Sequence, residues 1–90
     1  MPDRSVTAAT VVGAGLAATG VAHFVVPQAF AGITAQAFPD DTDTWITRNG
    51  ITETVVGTAI AIPATRRLGW IGLGAYVAFL GVQAVRSGTR

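Results

Sequence analysis

The 90-residue sequence contains no cysteine and no lysine. Without cysteine there is no disulfide framework, no iron–sulfur cluster, no thiol redox centre and no thiolate zinc site. Charge of either sign is scarce: 12% of residues are charged and the net charge is +1. That leaves no electrostatic case for nucleic acid as a partner. Serine occurs only as Ser5 and Ser87, in the terminal tails, so a serine triad cannot be assembled. One histidine and one carboxylate in apolar surroundings fall short of the three or four ligands a metal needs, and no metal is expected. Gly13-Ala14-Gly15 superficially suggests a dinucleotide loop. The pattern requires glycine at position 18, which is Ala18, and no strand precedes it.

What the chain has is apolar residues and glycine. Half of the residues are hydrophobic and eleven are glycine. A soluble domain of this length struggles to bury so much apolar surface, whereas a bilayer is itself an apolar solvent. Glycine weakens helices in water but lets membrane helices approach closely.

The pattern predicts a single all-α integral membrane domain over 1–90, a bundle of three transmembrane helices near 6–26, 42–62 and 68–85. Val6–Val26 has no charge apart from His23. At about 1.5 Å per residue it spans roughly 31 Å, the thickness of a hydrocarbon core. The alternative is a secretory signal peptide cleaved near Gly20-Val21-Ala22. Against it, the apolar run continues through Phe24-Val25-Val26. A short interfacial helix is expected at 29–38, with Phe30, Ile33 and Ala37 on one side. Asp40 to Asp43 suits a helix start, where carboxylates accept from free N–H groups and oppose the helix dipole. Only Asn49–Ile62 of the second helix is apolar enough to be buried, which is short for a span. Pro63–Arg67 reads as a tight loop. Leu68–Val85 is uncharged. Trp45, Trp70 and Tyr76 read as interfacial anchors or packing.

The arginines tie in the positive-inside count. Arg4, Arg66 and Arg67 fall on one side, and Arg48, Arg86 and Arg90 on the other. The short loop with paired arginines is favoured as cytoplasmic.

The second helix carries the chain's most informative face. Asn49, Glu53, Gly57 and Ala61 recur every four residues, polar at one end and small below. Glu53 turned to lipid would cost ~3 kcal/mol or more, so the face should point inward. On the first helix His23 shares a face with Leu16, Thr19 and Gly20. His23 and Glu53 both lie about 5–6 Å below the same surface by helical rise. They are the candidate ligand or proton site, with Asn49 as a third polar member. The alternative is that they satisfy one another and fix the packing. Gly20, Gly57, Ala61, Gly74 and Ala78 are the candidate close-packing positions, through Gly57-x-x-x-Ala61 and Gly74-x-x-x-Ala78.

Several short motifs together resemble the DoxX-like family of small bacterial membrane proteins. They are Gly20-Val21-Ala22-His23-Phe24 with Pro27, Phe30 and Phe38-Pro39, then Asn49-Gly50-Ile51-Thr52-Glu53 with Gly57, then Pro63 to Gly69. The likeness covers about residues 12–80, and His23, Gly50, Glu53, Gly57 and Pro63 match family positions. The resemblance implies four membrane helices where three are expected here, so that either the fourth is absent or a partner supplies its place. It also implies a multi-pass protein of the bacterial inner membrane and an association with membrane redox assemblies. Quinone is possible on that ground alone, and no covalently bound cofactor is expected. The leading expectation is a non-catalytic accessory subunit of a membrane redox or respiratory complex, with no catalytic residue of its own. The other is a homo-oligomer that binds or conducts a small lipophilic or protonatable ligand at the His23–Glu53 site. The partners expected are the lipid bilayer and either further copies or a larger membrane complex.

Overall fold

A computed structural model describes residues 7–88, all of them helical apart from short connections. Helix α1 is Ala8–Val25, α2 is Gln28–Ala37, α3 is Thr42–Ala61 and α4 is Arg66–Gly88. A single 3₁₀ turn, Pro63–Thr65, joins α3 to α4.

The breaks fall where backbone chemistry puts them. Thr7 caps α1 by accepting the Thr10 amide through its side chain. Pro27 ends α1 and opens α2, since it has no N–H to continue the ladder and its fixed φ suits a first turn. Pro39 follows the end of α2 closely. Pro63 stops α3 in the same way.

Two expectations about helix ends need correcting. Asp41 precedes α3, but its side chain makes no capping bond. The Thr42 hydroxyl instead donates to the Phe38 carbonyl at 2.7 Å and ties α3 to the end of α2. Arg66 and Arg67 do not lie in a loop. The 3₁₀ turn reverses the chain in three residues, so α4 begins at Arg66, two residues before Leu68, and runs on past Val85 to Gly88. The reason is local. The Arg66 guanidinium donates to the carbonyls of Ile60 and Ala61, and the Thr65 hydroxyl donates to Ala59. These bonds satisfy the carbonyls that the end of α3 leaves open. Arg66 also donates to the Thr10 hydroxyl at 3.0 Å, fastening α1 to the turn.

The tightest pair is α1 and α3, which run antiparallel. Along α1, Gly13 meets Gly57 and Ala61, and Gly20 meets Gly50 and Thr54. The helices touch backbone to backbone there. A methyl group built on Gly20 would stand 2.5 Å from the Thr54 amide nitrogen and 2.7 Å from the Gly50 carbonyl oxygen. One on Gly57 would meet the backbone of Ala17 and Gly13. Only glycine permits this approach, which is the close-packed mode of membrane helices. Helix α4 returns antiparallel along α3, with Gly69 against Ile60 and Gly72 against Val56. Helix α2 lies across α3 and α4 at the end where α1 stops.

Burial is inverted relative to a soluble protein. The buried hydrophobic side chains are Phe38, Ile46, Ile60 and Tyr76, while His23, Thr34 and Asn49 are buried polar residues. Large apolar side chains lie outside along every long helix, among them Val25, Val55, Leu68, Ile71 and Val85. Two helical stretches, Ala8–Val25 and Pro63–Gly88, are long and apolar enough to cross a membrane. The sequence pattern predicts three such helices, and α3 is not a third by that measure. It carries Asp43, Arg48, Asn49, Glu53 and six threonines in twenty residues.

Candidate functional site

His23 sits in the last turn of α1 and is 5% exposed. Its Nδ1 lies 2.8 Å from the Thr19 carbonyl oxygen. A carbonyl can only accept, so Nδ1 carries a hydrogen. In the neutral ring that leaves the lone pair on Nε2. Nε2 faces Glu53 Oε2 across 3.8 Å. The imidazole is stacked on the Phe30 ring of α2, with centroids 3.7 Å apart and planes 18° from parallel. Backbone bond and ring stack together hold the imidazole plane.

Glu53 lies in the middle of α3 with its side chain 12% exposed. The Tyr76 hydroxyl of α4 donates to Glu53 Oε2 at 2.6 Å, a length typical of a hydrogen bond to an ionised acceptor. One carboxylate oxygen is therefore addressed from two helices, by a phenol and by an imidazole. Nδ1 is already committed to Thr19, so one added proton converts this group from a carboxylate facing a lone pair into an ion pair.

Asn49 is one turn from Glu53 on the same face and is 6% exposed. Among the described residues its side-chain amide has no hydrogen-bond partner. No wholly enclosed side-chain nitrogen or oxygen lacks a partner there, so the amide keeps a little open surface. It borders a cavity of about 460 Å³ together with His23, Glu53 and Tyr76. The remaining walls are mostly apolar and come chiefly from α2 and α4, including Phe30, Ile33, Ala37, Phe38, Leu80 and Ala84. Polar groups converge at one end of an apolar chamber, which is the usual form of a small-molecule site. No group of three or more histidines or acids is placed to hold a metal ion among the described residues.

The structure brings His23, Glu53 and Asn49 around one space. Gly20, Gly57 and Ala61 lie in the α1–α3 contact. Gly74 and Ala78 do not share it: both are exposed on α4, and a methyl on Gly74 would meet nothing within 4 Å. Tyr76, an anchor or packing residue by its sequence pattern, carries a bond to Glu53 that the pattern does not announce. A signal is nevertheless present in the spacing. In an antiparallel helix pair, residues equally far from the turn face each other. Glu53 is ten residues before Pro63 and Tyr76 is eleven after Thr65. The role of Phe30 as the plate beneath His23 depends on the placement of α2, which the helical pattern alone does not fix.

Trp45 stacks on Phe38 at 4.2 Å, with the Arg48 guanidinium 5.0 Å from its ring centre. This cluster closes the end of the bundle beside the cavity.

Residues 12–87 match the model of a family described as a domain of unknown function (DUF8561). No curated protein and no solved structure matches the chain.

Proposed function

The chain belongs to the DUF8561 family, and from its own geometry we propose that it is a multi-pass membrane protein binding a small lipophilic molecule in the cavity between His23, Asn49, Glu53 and Tyr76. The observation that carries the proposal is the Asn49 amide, almost wholly buried, unpartnered among the described residues and bordering that cavity. The amide keeps a little open surface on the cavity, where a guest with a polar group can hydrogen-bond to it.

In this reading α1, α3 and α4 all span the bilayer. Asn49, Glu53 and Thr54 of α3 face the other helices, Ile51 and Val55 are exposed, and of its other polar residues Asp43, Thr44, Thr47 and Arg48 are exposed in the first two turns and Thr58 near the far end. Arg67 and Arg86 bracket the apolar body of α4 and are separated by about 28 Å of helix, close to the hydrocarbon thickness. The plasma membrane of a bacterium is the location that the DoxX-like resemblance favours.

Native mass measurement of protein drawn gently from its own membrane tests the proposal. Wild-type protein should retain a small lipophilic adduct, and Ala37→Trp, which places an indole at the cavity wall, should retain less of it. Equal adducts on both would overturn the proposal.

A second reading is an accessory subunit of a membrane redox assembly, as the same resemblance implies. Gly74 and Ala78 favour it, since they present a close-packing pattern on α4 with no helix of the chain against Gly74. Its test is the same measurement: a lone monomer without protein partners counts against it.

A further inference from the structure

We infer that the guest of this cavity is a lipophilic organic cation, and that it exchanges with the proton held by His23. The inference rests on the cavity reading and adds the charge of the guest. Its starting point is a charge balance. Among the described residues Glu53 meets no arginine: its close charged neighbour is His23, and the guanidinium of Arg66 is committed to Ile60, Ala61 and Thr10 at the far end of the bundle. When Nε2 is unprotonated and Glu53 is ionised, the site carries one uncompensated negative charge in apolar surroundings. Such a charge is strongly disfavoured there, so the site calls for one positive charge.

Besides a proton on the carboxylate itself, two sources can supply it. A proton on Nε2 makes the His23–Glu53 ion pair across the 3.8 Å gap. Alternatively, a cation in the cavity faces the carboxylate directly. Among the groups that face Glu53, α1 contributes His23, α3 contributes Asn49, and α4 contributes the Tyr76 hydroxyl, which donates to Oε2. Helix α2 contributes Phe30, Phe38 and other uncharged residues. Among the described residues no fixed cation lines the cavity, and Phe30, Phe38 and Tyr76 are among its aromatic lining residues. Charge repulsion keeps both positive charges from residing at full occupancy. Guest entry and proton loss from His23 are therefore coupled, and no bond is made or broken except that of the departing proton.

The test compares two molecules of one shape. Phenyltrimethylammonium and tert-butylbenzene differ in having a quaternary nitrogen or a quaternary carbon, hence in charge alone. Each is titrated into labelled wild-type protein in zwitterionic micelles, and the Asn49 side-chain amide resonances are followed. The ammonium is expected to move them with at least tenfold tighter binding than the hydrocarbon. Its affinity should weaken as the pH falls, by up to about tenfold per pH unit, as competition with one proton requires. Glu53→Gln should lose cation binding, and His23→Gln should keep it but lose the pH slope. If either variant fails to fold, the wild-type isostere comparison and pH profile still decide. Equal binding of the two probes overturns the cation assignment and leaves the cavity reading standing. A pH-independent wild-type affinity overturns the exchange. Failure of both probes to move any cavity resonance overturns the cation assignment, while the cavity reading keeps its own test in the native mass measurement.

Discussion

The Tyr76 hydroxyl donates to Glu53 Oε2 at 2.6 Å and ties the middle of α4 to the middle of α3. Tyr76→Phe removes the donor and leaves the ring. Hydrogen bonds to charged groups are worth about 1.5–3 kcal/mol in soluble proteins, and intramembrane ones average about 0.6. The expected loss is about 1–2 kcal/mol, read from reversible unfolding in mixed micelles. A change under about 0.3 kcal/mol would mean that the bond does not hold the helices.

Gly57 and Gly74 form a matched pair of opposites. A methyl on Gly57 runs into the backbone of α1, which cannot yield without separating the helices. Gly57→Ala should destabilise the bundle by about 2 kcal/mol or more. Gly74→Ala meets open space and should leave unfolding within about 0.5 kcal/mol, or raise stability through helix propensity. The same unfolding assay checks both, and equal effects would contradict the α1–α3 contact.

Arg66 and Arg67 are adjacent yet should behave differently. Arg66 donates to two carbonyls at the end of α3 and to Thr10 on α1. Arg66→Ala should cost about 2–3 kcal/mol, and Arg66→Lys should recover little, because one ammonium cannot reproduce the planar fork. Arg67 is exposed, and Arg67→Ala should be close to neutral. A full rescue by lysine would show that charge, not geometry, is what the turn requires.

The exposed apolar belt makes a prediction about solvent. Val25, Leu68, Ile71 and Val85 are largely exposed in the single chain. The protein should stay in the membrane fraction after an alkaline carbonate wash and leave it only with detergent. Release by carbonate alone would contradict the membrane reading.

Much of the site is legible in the sequence, and the reasons are geometric. Prolines at 27, 39 and 63 cut the chain into its helices. Helical rise from Pro27 and Asn49 puts His23 and Glu53 at one depth. Recurrence every four residues places Asn49 and Glu53 on the Gly57 face. Other features are less accessible. Asp41 resembles a cap by residue type, but the threonine beside it makes the bond that joins α2 to α3. Arg66 and Arg67 resemble loop residues because charge often marks a loop, whereas Arg66 folds back onto the helix it follows. Gly74 and Ala78 have the right spacing for packing, but spacing does not say which face of α4 meets α3. Tyr76 lies on the face that does, and only the register of the α3–α4 turn reveals it.

Glu53 is the sequence's one glutamate, so glutamate labelled with ¹³C at the side-chain carboxyl reports a single site. The most direct measurement is its resonance in protein drawn gently from native membrane, before and after small molecules are stripped by exhaustive detergent exchange. A guest beside the carboxylate predicts a shift on stripping in the wild type and a smaller one in Ala37→Trp, whose indole takes up part of the cavity. An unchanged resonance in the wild type, with the fold intact, would contradict it: the carboxylate would then be held by His23 and Tyr76 alone, as a lock between helices.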